Sequence, residues 1–431
     1  MKKDTLDIGG GSGKIGYVLM WIIMAFLFAA LLVFLIGRRN EINNAKVLSE
    51  QNAELSQQTQ SSEPLSEEAH QANTVGDEQA GAENGVETED SLGEETVVTS
   101  EKELPVNTYS LLDKETVMFT FAGDVLLDES YAIMSTYRMN GSELDACIDP
   151  ALLEMMRGAD VFMLNNEFPF TERGEARAGK AFTFRANPEN VQILHDMGVD
   201  IVSLANNHIY DYGEEGLLDT LDTLEGAGIP YVGAGRNLEE ASKVVYFQND
   251  DMKIGIISAT EIERYATPDT KGATEDSPGA FRCFRNDLLE DAIREAKKEC
   301  DFLILFVHWG TESTDELDWS QPGQAKDFTE AGADVIIGAH PHVLQEVGNV
   351  NDTLVFYSLG NYWFSSKTLD SCLVTLEIGK DGLVSAQFIP CTASGGKTNL
   401  ATGNERERIL AYMRRISDTV VIDENGYVEL P

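Results

Sequence analysis

Residues 334–345 read DVIIGAHPHVLQ, a short apolar run that ends in two histidines, His340 and His342, on either side of Pro341. A strand would send two side chains spaced this way to one face, and the proline between them forbids a helix. Either the pair is a turn with two polar residues, or it offers two imidazoles to a metal. The same form recurs upstream. MFTFAGD ends in Asp124, VFMLNNE in Glu167, and IVSLANNH in Asn207 and His208, while LILFVHWG carries His308 near its end. Helix-like segments separate such runs: PALLEMMRGA, PENVQILHDMG with Pro188 at its start and Gly198 at its end, EEGLLDTLDTLEGAG, NDLLEDAIREAKKEC and PGQAKDFTEAG. Strands that are apolar throughout, alternating with helices, predict an α/β layered domain.

In open α/β sheets functional groups collect beyond the carboxyl ends of the strands. Here five strand ends deliver Asp, Glu, Asn and His. Of the 6 histidines, His70 falls in a polar spacer and His195 within a predicted helix, where a partly exposed position suffices to explain it. The other four occupy strand ends. Each residue alone has a plain reading. Asp124 could form a turn or cap a helix, Glu167 could be a solvated loop carboxylate, Asn207 a left-handed turn residue, and His308 a packed edge histidine beside Trp309. As a set they match a divalent metal site. Carboxylates supply charge, imidazoles suit zinc, iron, nickel or copper, and an amide carbonyl is a hard oxygen donor. A bridging carboxylate would hold two ions close together, where they generate a nucleophile from water at neutral pH.

Composition divides the rest of the chain. The formal charge of −41 over 431 residues is concentrated in part between Asn40 and Pro105, a stretch of Glu, Gln, Ser, Thr, Asn and Ala with hardly an aromatic residue. Such a segment cannot bury enough apolar surface to offset chain entropy, and it is expected to be a disordered acidic linker. Before it, Ile15 to Ile36 is uncharged and flanked by Lys14 and by Arg38 and Arg39. At about 1.5 Å per residue it crosses a hydrocarbon core of roughly 30 Å, which predicts one transmembrane helix. No small-residue cleavage site of a signal peptide is evident. Lysines and arginines balance across the span, so charge counting leaves the orientation open; a short cytoplasmic N-terminus with an external C-terminal domain is the expectation. The expected organisation is thus 1–14 cytoplasmic, 15–36 transmembrane, 37–110 linker, 115–395 folded domain and 396–431 a C-terminal helix and tail. The acidic balance argues against nucleic acid as a partner. Five scattered cysteines, Cys147, Cys283, Cys300, Cys372 and Cys391, form no C-x-x-C pair and indicate neither a zinc knuckle nor a dense disulfide framework, with room for one disulfide.

FAGDVLL, NNEFP, FRANPEN, VSLANNHIYDYG, PYVGAG, FVHWGTE, GADVIIGAHPHVLQ and YSLGNYWF occur in the order seen in bacterial CapA/PgsA-type capsule and poly-γ-glutamate synthesis proteins, and the chain resembles that family from Val117 to Cys391. The family is similar to calcineurin-like metallophosphoesterases, so the resemblance implies a layered β-sandwich flanked by helices. It also implies one or two divalent ions, with manganese, iron and zinc not distinguished. On this likeness Asp124 and His342 bind the first ion, Glu167 bridges, and Asn207, His308 and His340 bind the second. His208 protonates a leaving group. Asp211 either orients His208 or caps the helix that begins near Gly213. Arg185 either grips an anionic substrate or pairs with a loop acid at the surface. Two features depart from the phosphoesterase pattern: Leu126 stands where a histidine ligand of the first ion would be, and Glu replaces Asp at the bridge. In addition STDELDW follows Glu312 where an aromatic is expected directly. The implied function is a membrane-anchored, metal-dependent hydrolase of phosphoesterase type acting on an anionic polymer of the cell envelope. The other reading is a non-catalytic accessory subunit of a membrane synthase or export complex, with a structural or polymer-binding metal.

Overall fold

The computed structural model describes residues 106–262 and 270–431. The expected membrane helix and nearly all of the expected linker lie outside the described residues, and no helix among the described residues is long and apolar enough to cross a membrane.

Two mixed sheets form the domain. In the first, the strands lie in the order Thr108–Ser110, Val245–Gln248, Lys253–Thr260, Phe302–His308, Val335–Ala339, Thr353–Phe356 and Val347–Val350. In the second the order is Lys397–Leu400, Gly382–Ser394, Leu369–Gly379, Thr116–Val125, Val161–Asn166, Ile201–Ser203 and Tyr231–Val232, with Asn361–Trp363 also paired to Thr116–Val125. The central strands of each sheet run parallel and the flanking hairpins antiparallel.

Side-chain alternation stacks the layers. In Phe302–His308, Phe302, Ile304 and Phe306 join the same buried cluster as Phe119, Phe121 and Met163 of the other sheet. The intervening Leu303, Leu305 and Val307 pack with Leu289 and Ile293 of the helix Asp287–Ala296 and with Phe328 of the helix Gln321–Ala331. The second sheet does the same in mirror fashion. Phe162 and Leu164 face outward onto Leu153 and Met156 of the helix Pro150–Gly158, Leu194 of Val191–Met197 and Leu221 of Gly213–Ala227. A strand whose two faces are both covered must be apolar at every position, which is the pattern that marked these strands in the sequence. The result is two face-to-face sheets with helices on both outer surfaces.

Several expected boundaries move. Thr108–Ser110, assigned to the linker, is an edge strand paired in parallel with Val245–Gln248. The segment 396–431, expected to lie beyond the domain, contributes the strand Lys397–Leu400. It also contributes the helix Gly403–Ile416, whose Ile409, Leu410 and Met413 share the inter-sheet core. The run VDIVSLANNH is a strand only over Ile201–Ser203, and ADVIIGAHPH only to Ala339. All five cysteines are free thiols, so no disulfide staples the domain.

One irregularity aims the site. Register shifts between Phe121 and Asp124 where the first long strand pairs with Val161–Asn166. Phe121 faces the inter-sheet core and Ala122 the helices, so strict alternation would turn position 124 toward the helices as well. The bulge reverses the parity and brings Asp124 to the inner face. Gly123 sits at this bulge because nothing larger fits: a Cβ there would lie 2.0 Å from the main-chain oxygen of Gly360. Gly123→Ala is therefore expected to destabilise the full-length protein by about 1–3 kcal/mol or more through overpacking against backbone, read as a lower denaturant midpoint. Gly226→Ala, in a helix position where an added Cβ meets nothing within 4 Å, should raise it slightly. Equal midpoints for the two variants would contradict this account of the bulge.

Candidate metal centre

The inner faces of both sheets are apolar until their carboxyl ends, where the same parity positions become polar. Asp124, Asn165 and His308 continue the inward rows, and each is completely buried. Glu167 follows one residue beyond its strand and is equally buried. Across the sandwich Ser203 and Ser258 hydrogen-bond to one another at 2.7 Å, where small side chains let the sheets approach.

Turns supply the other groups. Asn207 and His208 lie in the turn after Ile201–Ser203, both nearly buried. Asn207 does not adopt the left-handed backbone, whereas His340 and His342 do, at φ 100° and 60°. Such conformations cost a non-glycine residue about 1–3 kcal/mol each and persist where the surroundings impose them. The pair is thus a strained turn that points both imidazoles back between the sheets.

The atoms converge on Glu167. Its Oε1 is buried without a hydrogen-bond partner among the described residues, yet it lies 3.8 Å from Nε2 of His308, 3.8 Å from Nε2 of His342 and 4.0 Å from Nε2 of His208. Those separations are too long for hydrogen bonds. For His308 and His342 they suit atoms sharing an ion, since two ligands each about 2.1 Å from a metal stand roughly 3–4 Å apart, whereas His208 belongs to neither candidate ligand group. Around His308, Nε2 is 2.8 Å from Oδ1 of Asn207 and 3.0 Å from Nδ1 of His340, so one ring nitrogen faces several lone pairs at once. Two overlapping groups result: Glu167 with His308 and His340, and Asp124 with Glu167 and His342. The donor set is all nitrogen and oxygen, which fits a divalent ion of the zinc, iron or manganese kind.

Electrostatics point the same way. Burial pushes the Glu167 carboxyl well above its usual range, and neighbouring Asp124 pushes it further. Burial holds His308 well below the ordinary imidazole value, helped by His340 and His342. His342 is raised: burial opposes this, but its hydrogen bond to Asp124, the Asp124 charge and Glu312 outweigh it. A buried carboxylate pair whose charge raises the pKa of both Glu167 and His342 is a site short of positive charge.

Of the other expected residues, Asp211 is not a helix cap. The helix Gly213–Ala227 has Tyr212 at its N-cap with no side-chain bond, and Asp211 Oδ2 lies 2.6 Å from Nδ1 of His208. Burial lowers the His208 pKa, with Asp211 pulling against it. Arg185 is half-buried with its guanidinium over the Tyr212 ring at 4.6 Å, and no carboxylate pairs with it among the described residues. His195 is exposed on its helix. Leu126 is fully buried in the apolar layer under the helices and offers the centre nothing.

Sequence reasoning missed four residues. The Asn165 amide donates to Asp124 Oδ1 at 2.8 Å and to Glu167 Oε2 at 3.3 Å, tying the two carboxylates together. Asn206 donates to Oδ1 of Asn165 and accepts from the main-chain N–H of His208. Asn361 Oδ1 is 2.8 Å from Nδ1 of His342. Lys180 is nearly buried and bonded to Asp211. The paired asparagines NN and ANN were visible signals; a lysine in a loop was not.

An α/β sandwich with a polar, metal-type centre at its strand ends is the class that fold and site define. Residues 118–366 match the family described as bacterial capsule synthesis protein PGA_cap, and the chain belongs to that family. It is 31% identical over 284 residues to the PGA biosynthesis protein CapA of Bacillus subtilis, covering 64% of this chain and 71% of that one. The capsule biosynthesis protein CapA of Bacillus anthracis is 30% identical, over 61% of this chain and 65% of that relative, just under two thirds of its length. A probable polyglutamine synthesis accessory protein of Mycobacterium tuberculosis is 28% identical, over 60% and 72%. Among solved structures, the sulfate thiohydrolase SoxB of Thermus thermophilus aligns over 74% of this chain and 63% of that one, at 13% identity and a TM-score of 0.36. A likeness of that order says nothing about the site.

Treating the full-length protein with a chelator is expected to lower its melting temperature, and adding back manganese or zinc to restore it. An ion present at a hundredfold its dissociation constant contributes about 2.7 kcal/mol. Glu167→Ala should abolish the metal-induced rise, because Glu167 belongs to both groups, while His340→Ala and His342→Ala should each reduce it. Indifference of the wild-type protein to the chelator and to added metal would count against the centre.

Proposed function

We propose that this member of the capsule synthesis family is a divalent-metal-dependent hydrolase of phosphoesterase type that acts on an anionic polymer of the cell envelope. The observation that carries the reading is the orphaned, buried Oε1 of Glu167 ringed by three imidazole nitrogens at 3.8–4.0 Å. Asp124, Glu167 and His342 would hold one ion, and Glu167, Asn207, His308 and His340 a second. When bound, such ions acidify water toward neutrality and polarise an ester oxygen.

The chain's own residues do the rest. Asp211 holds the Nδ1 proton of His208, which leaves Nε2, on the Glu167 side, as the atom that exchanges a proton with the leaving oxygen. Asn165 keeps the two carboxylates from turning away. Arg185, stacked on Tyr212 and with no acidic partner among the described residues, is available to an anionic group of the substrate. The departure at Leu126 weakens the first site, so the two ions would be held unequally. The segment 15–36 would anchor the protein in the cell membrane, with the linker carrying the domain on the outer side.

A second reading has its own support, in the description of the mycobacterial relative as an accessory protein. There the domain binds metal and polymer within a synthase or export complex and turns nothing over.

Metal analysis of the full-length protein together with turnover of chromogenic phosphodiesters tests both. The hydrolase reading expects at least one equivalent of transition metal and a turnover that His208→Ala reduces by about 100-fold or more. Less than one equivalent of metal sinks it. Metal-replete protein in which His208→Ala leaves polymer production intact, while His340→Ala abolishes it, establishes the accessory role.

A further inference from the structure

Between the short pairing of Phe170 with Ala186 runs a loop without regular structure, and it closes over one side of the centre. Gly174 and Gly179 take left-handed conformations in it, at φ 77° and 82°. From this loop a single lysine reaches inward. The Lys180 side chain is 9% exposed, and its ammonium donates to Oδ1 of Asp211 at 2.6 Å. It also donates to the main-chain carbonyl of Asn207 and lies 3.4 Å from Nδ1 of His208.

The neighbouring contacts show what that ammonium controls. Asp211 is completely buried and uses both oxygens. Oδ2 faces His208 Nδ1 at 2.6 Å and accepts the Phe184 main-chain N–H at 2.7 Å, while Oδ1 is satisfied by Lys180. Phe184 also lays its ring on the His208 imidazole, with centroids 4.1 Å apart and planes 27° from parallel. Loop and turn are further tied by the Arg177 main-chain N–H, which donates to the Asp211 carbonyl at 2.8 Å. Without Lys180, Oδ1 would be buried without a donor and the carboxylate would be free to turn. Buried ion pairs often add little net stability, and in some proteins what they supply is a fixed geometry of the groups they join.

We propose that Lys180 is a positioning residue. By holding Asp211 Oδ1 and the Asn207 carbonyl, it keeps the His208 ring in the Nδ1–H form with Nε2 turned toward Glu167. The proposal rests on the reading of His208 as the proton-exchanging group. Lys180 itself touches neither the candidate ligand atoms nor the reacting bond.

The test uses full-length protein labelled with nitrogen-15 histidine, chelator-treated and then zinc-supplemented, in the wild type, Lys180→Met, Lys180→Gln and Lys180→Arg. The His208 Nδ1–H resonance, assigned by its loss in His208→Ala, is expected in the wild type and Lys180→Arg and absent from Lys180→Met. Lys180→Gln serves if the methionine variant does not fold. With aryl phosphodiesters, Lys180→Met should lower kcat about 10- to 100-fold for poor leaving groups with KM unchanged, and hardly at all for good ones. Combined with His208→Ala it should add no further loss. An unchanged Nδ1–H resonance in Lys180→Met overturns the proposal, as does an equal further loss in the His208→Ala background. If no form of the protein turns over any ester, the resonance still decides the role of Lys180, and the catalytic reading of His208 is what fails.

Discussion

Glu167 carries a carboxylate into a region where no solvent reaches, and one of its oxygens has no donor among the described residues. An uncompensated charge in such a place costs several kcal/mol, more than most single interactions in a domain contribute. The fold brings toward that oxygen three imidazoles from three different chain segments, and none is close enough to hydrogen-bond to it. Positive charge between them would relieve both the carboxylate and the crowded ring nitrogens. The sheets, the bulge and the strained turn can all be understood as delivering donors to this one point.

Delivery depends on side-chain parity. The inner rows of the two sheets are phenylalanine, isoleucine, valine and methionine for most of their length, and these hold the sandwich together. At the carboxyl ends the same rows turn polar, so the centre inherits the rigidity of the core beneath it. Asp124 reaches the inner row through the register shift at Gly123, and His340 and His342 through backbone conformations that only a tightly determined turn sustains. The asparagines then lock what the backbone has placed: Asn165 bridges the carboxylates, and Asn206 joins Asn165 to the His208 backbone.

A separate layer of control comes from a loop rather than a sheet. The segment around Lys180 and Phe184 clamps Asp211 and the His208 ring from outside the sandwich. Loops on a rigid scaffold are where function varies most readily. In this chain, whose strand ends carry the metal-type donors, such a loop sets how the His208 ring is presented.

By itself the sequence determined the layered α/β class, because strands covered on both faces must be apolar throughout and helices must be amphipathic. It also marked Asp124, Glu167, Asn207, His208, His308, His340 and His342 as strand-end residues of metal-binding type, since donor chemistry at a repeated position is a local signal. The motif order placed the chain near the capsule synthesis family. Tertiary structure decided the rest. Asp124 faces inward only because a bulge shifts the register; Gly123 in the strand pattern permits such a bulge, but the pairing partner that fixes the shift comes only with the sheet. Thr108–Ser110 and Lys397–Leu400 are strands only because edges of existing sheets accept them, since such short segments have little propensity of their own. Lys180 and Asn361 join the site through contacts with Asp211 and His342, 31 and 19 residues away, that no local periodicity records. Periodicity and donor type are written residue by residue; parity shifts and long-range convergence exist only once the sheets have packed.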